Sequence, residues 1–362
     1  MKLIHFITSL EMGGAQAVLY DLVTHLDAQQ FEHHIIFIHD GPYRKTLAQA
    51  HIPTHQLIGF ISPYNALALY RLIKLIKQIN PDCLHTVLWS ANWLGRIAAW
   101  WLGIRCINSL HNNVDQNGTV RTMLDKLAPA PKQLIAVSQE VKESYTQFHP
   151  TACPITVIPN GVDFEGIRQF ARKNMLNRAD LGYTKQNIII GSVGRFQPVK
   201  RYELLLETFK LLHTENSGVR LLLIGSGPQE QELRNKALAL GISQFVRFAT
   251  NQRAYPYYPL MDLFVLSSQK EGISIALLEA MSYGVPPVIT YHSSTHPVVI
   301  HKQNGYVAKT SKATSFAYTL RPLIADTSLR KQIGSAAQTT IKTRFNIPAM
   351  VAAYEKIFHS QC

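Results

Sequence analysis

The chain has no long apolar run, no paired-cysteine motif, no low-complexity tract and no complete glycine fingerprint for a dinucleotide. Its most apolar stretch, ANWLGRIAAWWLGI, is shorter than the ~20 residues that a membrane-spanning helix needs, and it carries Arg96. The opening MKLIHFITSL holds one lysine and a brief apolar run. It meets Gly13-Gly14 rather than a small-residue cleavage site, so it reads as a strand and not as a signal peptide. Cys83, Cys106, Cys153 and Cys362 are scattered, with no CxxC pair, which fits reduced thiols in a cytosol and offers no zinc site. GSVGRF and GSGPQE both fall short of GxGxxG. Acidic residues are scarce in the second half. Residues 166–362 hold 24 Lys+Arg against 11 Asp+Glu, whereas residues 1–165 hold 12 of each, so the second half carries the entire formal charge of +13. That excess points to an anionic ligand, or to a surface facing lipid or nucleic acid. The interleaved aromatic and basic stripe that single-stranded nucleic acid needs is missing.

What remains is ample for two packed domains: 362 residues, 46% of them hydrophobic and 16% charged. Strand-like runs alternate with helical spacing from KLIHFIT through QLIAVS. After ITVIPNGVD and the charged stretch ARKNMLNRADLG, the pattern restarts at NIIIGSVGRF and continues to PPVITY. This alternation predicts parallel, doubly wound sheets, whose ligands sit beyond the carboxyl ends of the strands. NIPAMVAAYEKIF predicts a last helix after Pro348. Ten of the 15 histidines lie in the first half, which would then become cationic at mildly acid pH. Trp89, Trp93, Trp100 and Trp101 fall at helical spacing, which favours core positions; an apolar grip on a membrane is the alternative.

Four places carry chemistry. Gly13-Gly14, between the first strand and its helix, is either a tight turn or a close approach of backbone N–H groups to an anion. Arg195 and Lys200, around the turn after the first strand of the second half, are either solvated charges or two cations holding a diphosphate without a metal. His111, ending a strand among polar residues, is either structural or a donor to a ligand. In QKEGISIALLEAM, Glu271 and Glu279 lie eight positions apart. On one helix they would diverge by about 80°. Gly272 and Ser274 instead predict a helix that starts after Glu271, with Ser274 as its N-cap. The free N–H groups around Ile275 would then face a phosphate, and the two acids would suit neutral hydroxyls on either side of it. A surface helix with unrelated acids is the alternative.

EGISIALLEAMSYGVPPV resembles the E-x7-E signature of retaining GT-B glycosyltransferases of family 4. GGAQ, DCLHTVLWSANWLGRIAA, SLHN, VIPNGVD, VGRFQPVKRYELLLETF, LLLIGSGPQEQEL, VRFAT, LFVLSSQKEG and NGYVAK resemble other segments of that family, in order and over nearly the whole chain. The resemblance implies an α/β GT-B fold: an acceptor-binding Rossmann-like domain over 1–165, a nucleotide-sugar-binding one over 166–345 facing it across a cleft, and a helix over 346–362 returning to the first. It implies that Arg195 and Lys200 bind the donor diphosphate, Glu279 the ribose and Glu271 the transferred sugar. Gly13, Gly14, Gly272, Ser274 and Ile275 would approach the donor through the backbone, and His111 would lie near the reacting carbon. Gln16 stands where the family usually has glutamate. Ser293, Ser294 and Pro297 replace a usual Gly-Gly and glutamate, which bears on donor choice.

The implied activity is retaining hexosyl transfer from a UDP-linked donor to a glycan or lipid-linked acceptor, in cell-surface polysaccharide or lipopolysaccharide biosynthesis. The implied enzyme has no metal and no cofactor, binds no nucleic acid, and is cytoplasmic or peripheral on the inner face of the membrane. A GT-B sugar-nucleotide epimerase and a non-enzymatic membrane-surface or nucleic-acid-binding protein are the competing readings.

Overall fold

The computed structural model describes residues 1–62, 65–112, 123, 125–149, 153–174, 176–250, 254–269, 272–290 and 298–362. The chain forms two compact units. Met1–Gly161 with Ile347–Cys362 make unit 1, and Val162–Asn346 make unit 2. The chain therefore passes between the units at 161/162, four residues before the expected boundary, and returns at 346/347.

Among the described residues, unit 1 has seven parallel strands: β1 (Lys2–Ser9), β2 (Glu32–His39), β3 (Thr54–Gln56), β4 (Cys83–Val87), β5 (Arg105–Leu110), β6 (Gln133–Ala136) and β7 (Ile155–Val157). Their spatial order is β3-β2-β1-β4-β5-β6-β7, with Ile4 opposite His34 and Leu84. Strands buried on both faces read as continuous apolar runs, because helices cover each side of a parallel sheet. Those helices are α1 (Gly14–His25), α2 (Tyr43–Gln49), α3 (Ala66–Ile79), α4 (Trp89–Leu102) and α5 (Gln139–Phe148). The order reverses between β1 and β4, so the turns after these two strands frame the place where doubly wound sheets bind ligands.

Unit 2 repeats the plan with β8 (Ile188–Val193), β9 (Val219–Ile224), β10 (Val246–Ala249), β11 (Leu263–Leu266), β12 (Pro287–Thr290) and β13 (Tyr306–Ala308), in the order β10-β9-β8-β11-β12-β13. Its helices are α6 (Phe164–Lys173), α7 (Tyr202–Glu215), α8 (Glu230–Ala239), α9 (Ile275–Ser282), α10 (Ala313–Ala325) and α11 (Thr327–Arg344). Core clusters line both faces of this sheet, one including Phe264, Leu277 and Ile341, the other Phe209, Val265 and Leu320. Burying such a side chain contributes about 1.5–3 kcal/mol. Helix α6 starts earlier than the charge pattern of ARKNMLNRADLG predicts, because Phe164 and Ile167 pack on the core of unit 2.

The last helix, α12 (Ile347–Gln361), belongs to unit 1. It buries Met350, Tyr354, Ile357 and Phe358 there. This return corrects the expectation of reduced thiols: Cys362, at the end of α12, is disulfide-bonded to Cys83, at the start of β4. The two are 279 positions apart in sequence, and only the return of α12 brings them together. Cys106 and Cys153 are not disulfide-bonded.

The tryptophan expectation divides. Trp100 and Trp101 stand 67% and 68% exposed, not in the core. Helix α4 turns Ala91, Leu94, Ala98 and Ala99 to the sheet, and a Cβ on Gly95 would meet Thr86 Cγ2 at 2.4 Å. So close an approach uses small residues, and the indoles that end the helix project away. Trp93 packs partly buried against the core.

Three of the ten histidines of the first half depart from expectation. His5, His33 and His85 lie on adjacent strands and link ring to ring: His5 Nε2 to His33 Nδ1 at 3.0 Å, and His5 Nδ1 to His85 Nδ1 at 2.9 Å. His85 Nε2 continues to Ser109 Oγ at 2.7 Å, and that hydroxyl to Tyr354 OH at 3.2 Å. Burial holds His33 down to about 4 and His85 to about 3, and it pushes His5 well below the usual range. These rings stay neutral at mildly acid pH, so they do not charge the first half.

Candidate active site

In unit 1, β1 ends in the turn that carries Gly13 and Gly14. Gly13 is the N-cap of α1, with extended backbone and no side-chain cap, and the first turn holds no acid. The leading N–H groups of α1 are therefore left for a ligand or water. Gln16, where glutamate was expected, is buried and donates its amide to Ser9 O at 3.0 Å. A carboxylate could not make that bond, so glutamine closes the turn. A Cβ on Gly13 would come within 2.5 Å of Gln16 Oε1, so a larger residue here would displace the end of that side chain.

Two features of unit 1 near the carboxyl ends of the strands were not legible beforehand. Leu88, between β4 and α4, has φ 75 and ψ 155, a region that is almost glycine-only. Such strain collects at functional turns, and this one lies at the switch point. Asn92 donates to Ser109 O at 3.0 Å and accepts from Thr86 Oγ1 at 2.7 Å, which fixes the end of β5. His111 follows directly. It is half-buried, and desolvation lowers its pKa to about 4. At neutral pH it is an uncharged ring able to donate one hydrogen bond.

In unit 2 the order reverses between β8 and β11; Arg195 and Lys200 sit in the segment after β8, and Gly272 and Ser274 in the segment after β11. Arg195 is exposed and Lys200 half-buried. Phe196 between them is fully buried, edge-on to Tyr202 at 5.1 Å, and anchors the turn. Ser267 Oγ donates to Lys200 O at 2.7 Å, and the Gln269 N–H to Val199 O at 2.8 Å, so the turn after β8 is stitched to the end of β11. The glycines of GSVGRF and GSGPQE serve this packing: a Cβ on Gly225 would fall 2.0 Å from Gly194 O.

Helix α9 begins at Ile275, and Ser274 caps it by accepting from the Leu277 N–H at 3.4 Å. Gly272 and Ser274 are buried beside this N-terminus. Glu279, on the second turn, is buried among Leu277, Leu278, Ala280 and Met281, a helix apolar all round. Its Oε2 accepts from Tyr258 OH at 2.6 Å. Burial raises its pKa to about 7, against the lowering effect of hydrogen bonds from Tyr258 and Tyr255. A carboxylate held there, near the start of a helix, is poised to accept hydrogen bonds from hydroxyls. Sequence reasoning did not single out Tyr258; nothing in the pattern of YPYYPL marks the ring that supports Glu279. Glu271, Ser293, Ser294 and Pro297 lie outside the described residues.

The family model described as Glycosyltransferase Family 4 matches residues 12–165, and the one described as Glycosyl transferases group 1 matches residues 175–340. The chain is 26% identical to N-acetyl-alpha-D-glucosaminyl L-malate synthase of Bacillus anthracis, covering 99% of this chain and 97% of that one. It is 25% identical to UDP-Gal:alpha-D-GlcNAc-diphosphoundecaprenol alpha-1,3-galactosyltransferase of Escherichia coli, covering 99% and 96%. The crystal structure of Anabaena Alr3699/HepE in complex with UDP-glucose superposes with a TM-score of 0.86 at 22% identity, over 99% of this chain and 100% of that one. The two family matches between them run through nearly the whole chain, each upon one Rossmann-like unit, and the chain belongs to the family 4 glycosyltransferases of GT-B fold.

Proposed function

We propose that this glycosyltransferase moves a hexose from a UDP-linked donor to a glycan or lipid-linked acceptor with retention of anomeric configuration, in the assembly of cell-surface polysaccharide or lipopolysaccharide. The observation that carries the donor reading is Glu279. A carboxylate buried beside a capped helix N-terminus, and steadied by Tyr258, is expensive to keep unless a ligand uses it. Ribose hydroxyls are suitable ligands. The names of the E. coli and Anabaena relatives, with UDP-galactose and UDP-glucose, support uridine as the base. Diphosphoundecaprenol in the E. coli name supports a lipid-linked acceptor.

In this reading Arg195, Lys200 and the N–H groups at Ile275 bind the diphosphate, and Gly272 and Ser274 line its approach. The acceptor hydroxyl attacks the anomeric carbon from the face that the diphosphate leaves. The bond from that carbon to the phosphate oxygen breaks, and the acceptor proton passes to the departing phosphate. Negative charge grows on that phosphate, and the two cations and the helix N-terminus stabilise it, in the role that a metal ion plays elsewhere. Glu271 orients the transferred sugar. Within unit 1, Gly13-Gly14 and the neutral His111 offer hydrogen-bond donors. The exposed pair Trp100 and Trp101 holds the protein peripherally to the inner face of the membrane, where indole rings favour the headgroup region.

The test is a panel of nucleoside-diphosphate sugars scored by thermal shift, followed by transfer assays with and without glycan and lipid-linked acceptors, and NMR of the product anomer. UDP-sugars should stabilise the protein by mass action, and the product should keep the donor's configuration. Stabilisation by another base, an inverted product, or conversion of the donor without any acceptor would each overturn the corresponding part.

A further inference from the structure

Unit 2 carries an open pocket of about 400 Å³ that none of the proposed donor-binding groups lines; Arg172, Asn177 and Pro259 of its lining are exposed. Arg168 and Arg172, one turn apart on α6, and Arg178 from the segment after it supply the basic wall. Pro256, Pro259 and Tyr283 supply an apolar one. This volume falls within the roughly 300–1,000 Å³ typical of small-molecule sites, and a few convergent polar groups on an apolar lining is their usual make-up.

The three arginines are not alike. Arg178 is structurally committed: it donates to Asp262 at 2.9 Å, and to Asn187 O and Leu260 O at 3.0 Å each. Arg168 and Arg172 have no carboxylate within ion-pair distance among the described residues. The Arg168 guanidinium lies 5.2 Å from the centre of the Phe164 ring, which holds it in place without neutralising it. Asp180, in the segment after α6, accepts from the Asn177 N–H at 2.9 Å. The cavity thus sets two uncompensated guanidinium groups, each able to fork onto an oxyanion, beside a wall of proline and tyrosine. A free inorganic anion would use the first feature and leave the second exposed to water. An anion attached to an apolar body uses both.

Its position separates it from the donor groups by one layer. Tyr283 stacks on Tyr258 with ring centres 5.7 Å apart, and Tyr258 in turn holds Glu279. The Tyr283 hydroxyl donates to Ile167 O, on α6. Substitutions that probe the cavity are therefore confined to the two arginines.

We propose that this cavity is a second ligand site that binds a phosphate-bearing amphiphile, with the phosphate between Arg168 and Arg172 and the apolar part against Pro256, Pro259 and Tyr283. Calorimetric titration of the full chain with dihexanoyl phosphatidic acid, below the concentration at which it forms micelles, tests it. The expected result is saturable binding in the wild type, at least tenfold weaker in Arg168→Ala/Arg172→Ala, and at least tenfold weaker for dihexanoyl phosphatidylcholine or inorganic phosphate. UDP affinity and melting temperature of the double variant should match the wild type, which shows that it has folded. Absence of saturable binding to the wild type, or equal affinity in the double variant, overturns the site. Inorganic phosphate binding as tightly as the phosphatidate overturns the amphiphile and leaves a simple anion site.

Discussion

The burial of Glu279 makes a prediction with opposite signs for stability and for binding. Its folded pKa of about 7 stands well above the ordinary carboxyl value of 4.5. A raised carboxyl pKa means that its stabilising contribution is fully present below about 4.5 and is lost as pH rises through about 7. About 2.5 units correspond to about 3 kcal/mol, an order-of-magnitude figure. The ligand-free wild type should thus lose stability on that scale between pH 4.5 and 8, through unit 2. Glu279→Gln keeps the shape and an acceptor for the Tyr258 hydroxyl, and it does not titrate. Its amide N–H groups bring a fixed cost of about 1–3 kcal/mol if unpaired, so the comparison rests on slopes and not on absolute stability. Urea denaturation, followed by a probe in unit 2 at several pH values, should show the gap between wild type and variant closing, or reversing, by about 3 kcal/mol as pH rises. Binding runs the other way. Ribose hydroxyls donate best to the charged carboxylate, so UDP affinity of the wild type should rise as pH passes 7. That of the variant should be lower by about 1.5–3 kcal/mol at pH 8, tenfold or more. The variant's own profile subtracts the titration of the β-phosphate. Parallel stability slopes in the two proteins would refute the raised pKa. Equal UDP affinities at pH 8 would refute the ribose role.

Arg195→Ala or Lys200→Ala should each lower turnover at least about tenfold with little change in folding, and EDTA should leave transfer intact. Wild-type turnover in both variants, or complete loss with EDTA restored by Mg²⁺ or Mn²⁺, would exclude side-chain neutralisation of the diphosphate. Trp100→Ser/Trp101→Ser should reduce flotation with liposomes several-fold while leaving the melting temperature within a few degrees, since both rings are exposed. Unchanged flotation would place the membrane contact elsewhere. His33 and His85 have depressed folded pKa values of about 4 and about 3, so their stabilisation is present above 6.5 and is lost as pH falls toward those values. Hydrogen exchange of α12 amides, corrected for the intrinsic rate, should quicken from pH 6.5 to 4; a flat profile would mean that the histidine chain does not titrate with folding. Protein prepared without reductant should yield a Cys83–Cys362 peptide by mass spectrometry and melt lower after reduction, whereas free thiols at both positions would remove the bridge.

The sequence by itself determined both sheets, because strands covered on two faces must be apolar along their length, and KLIHFIT and NIIIGSV could be little else. It also located the turns after β1 and β8 and the start of α9, since glycine turns and an N-cap serine are local chemistry. Ser274 was legible for that reason. The tertiary structure decided everything that depends on what lies across from a residue. In sequence Glu279 fits an acid on a surface helix as well as one that faces a ligand, and only packing shows it buried, with Tyr258 from a distant turn supporting it and its proton affinity raised. Trp100 and Trp101 have helical spacing that favours the core, and only the close seating of Gly95 on Thr86 shows which face of α4 is inside. His5 and His85 stand singly in their strands and His33 sits beside His34, with no pattern that links them; the parallel register of β2, β1 and β4 joins His33, His5 and His85 into one buried chain. Cys83 and Cys362 lie 279 positions apart, and no local pattern encodes their meeting. Local rules fix a residue's backbone, but burial and partnership are properties of contacts between segments far apart in the chain.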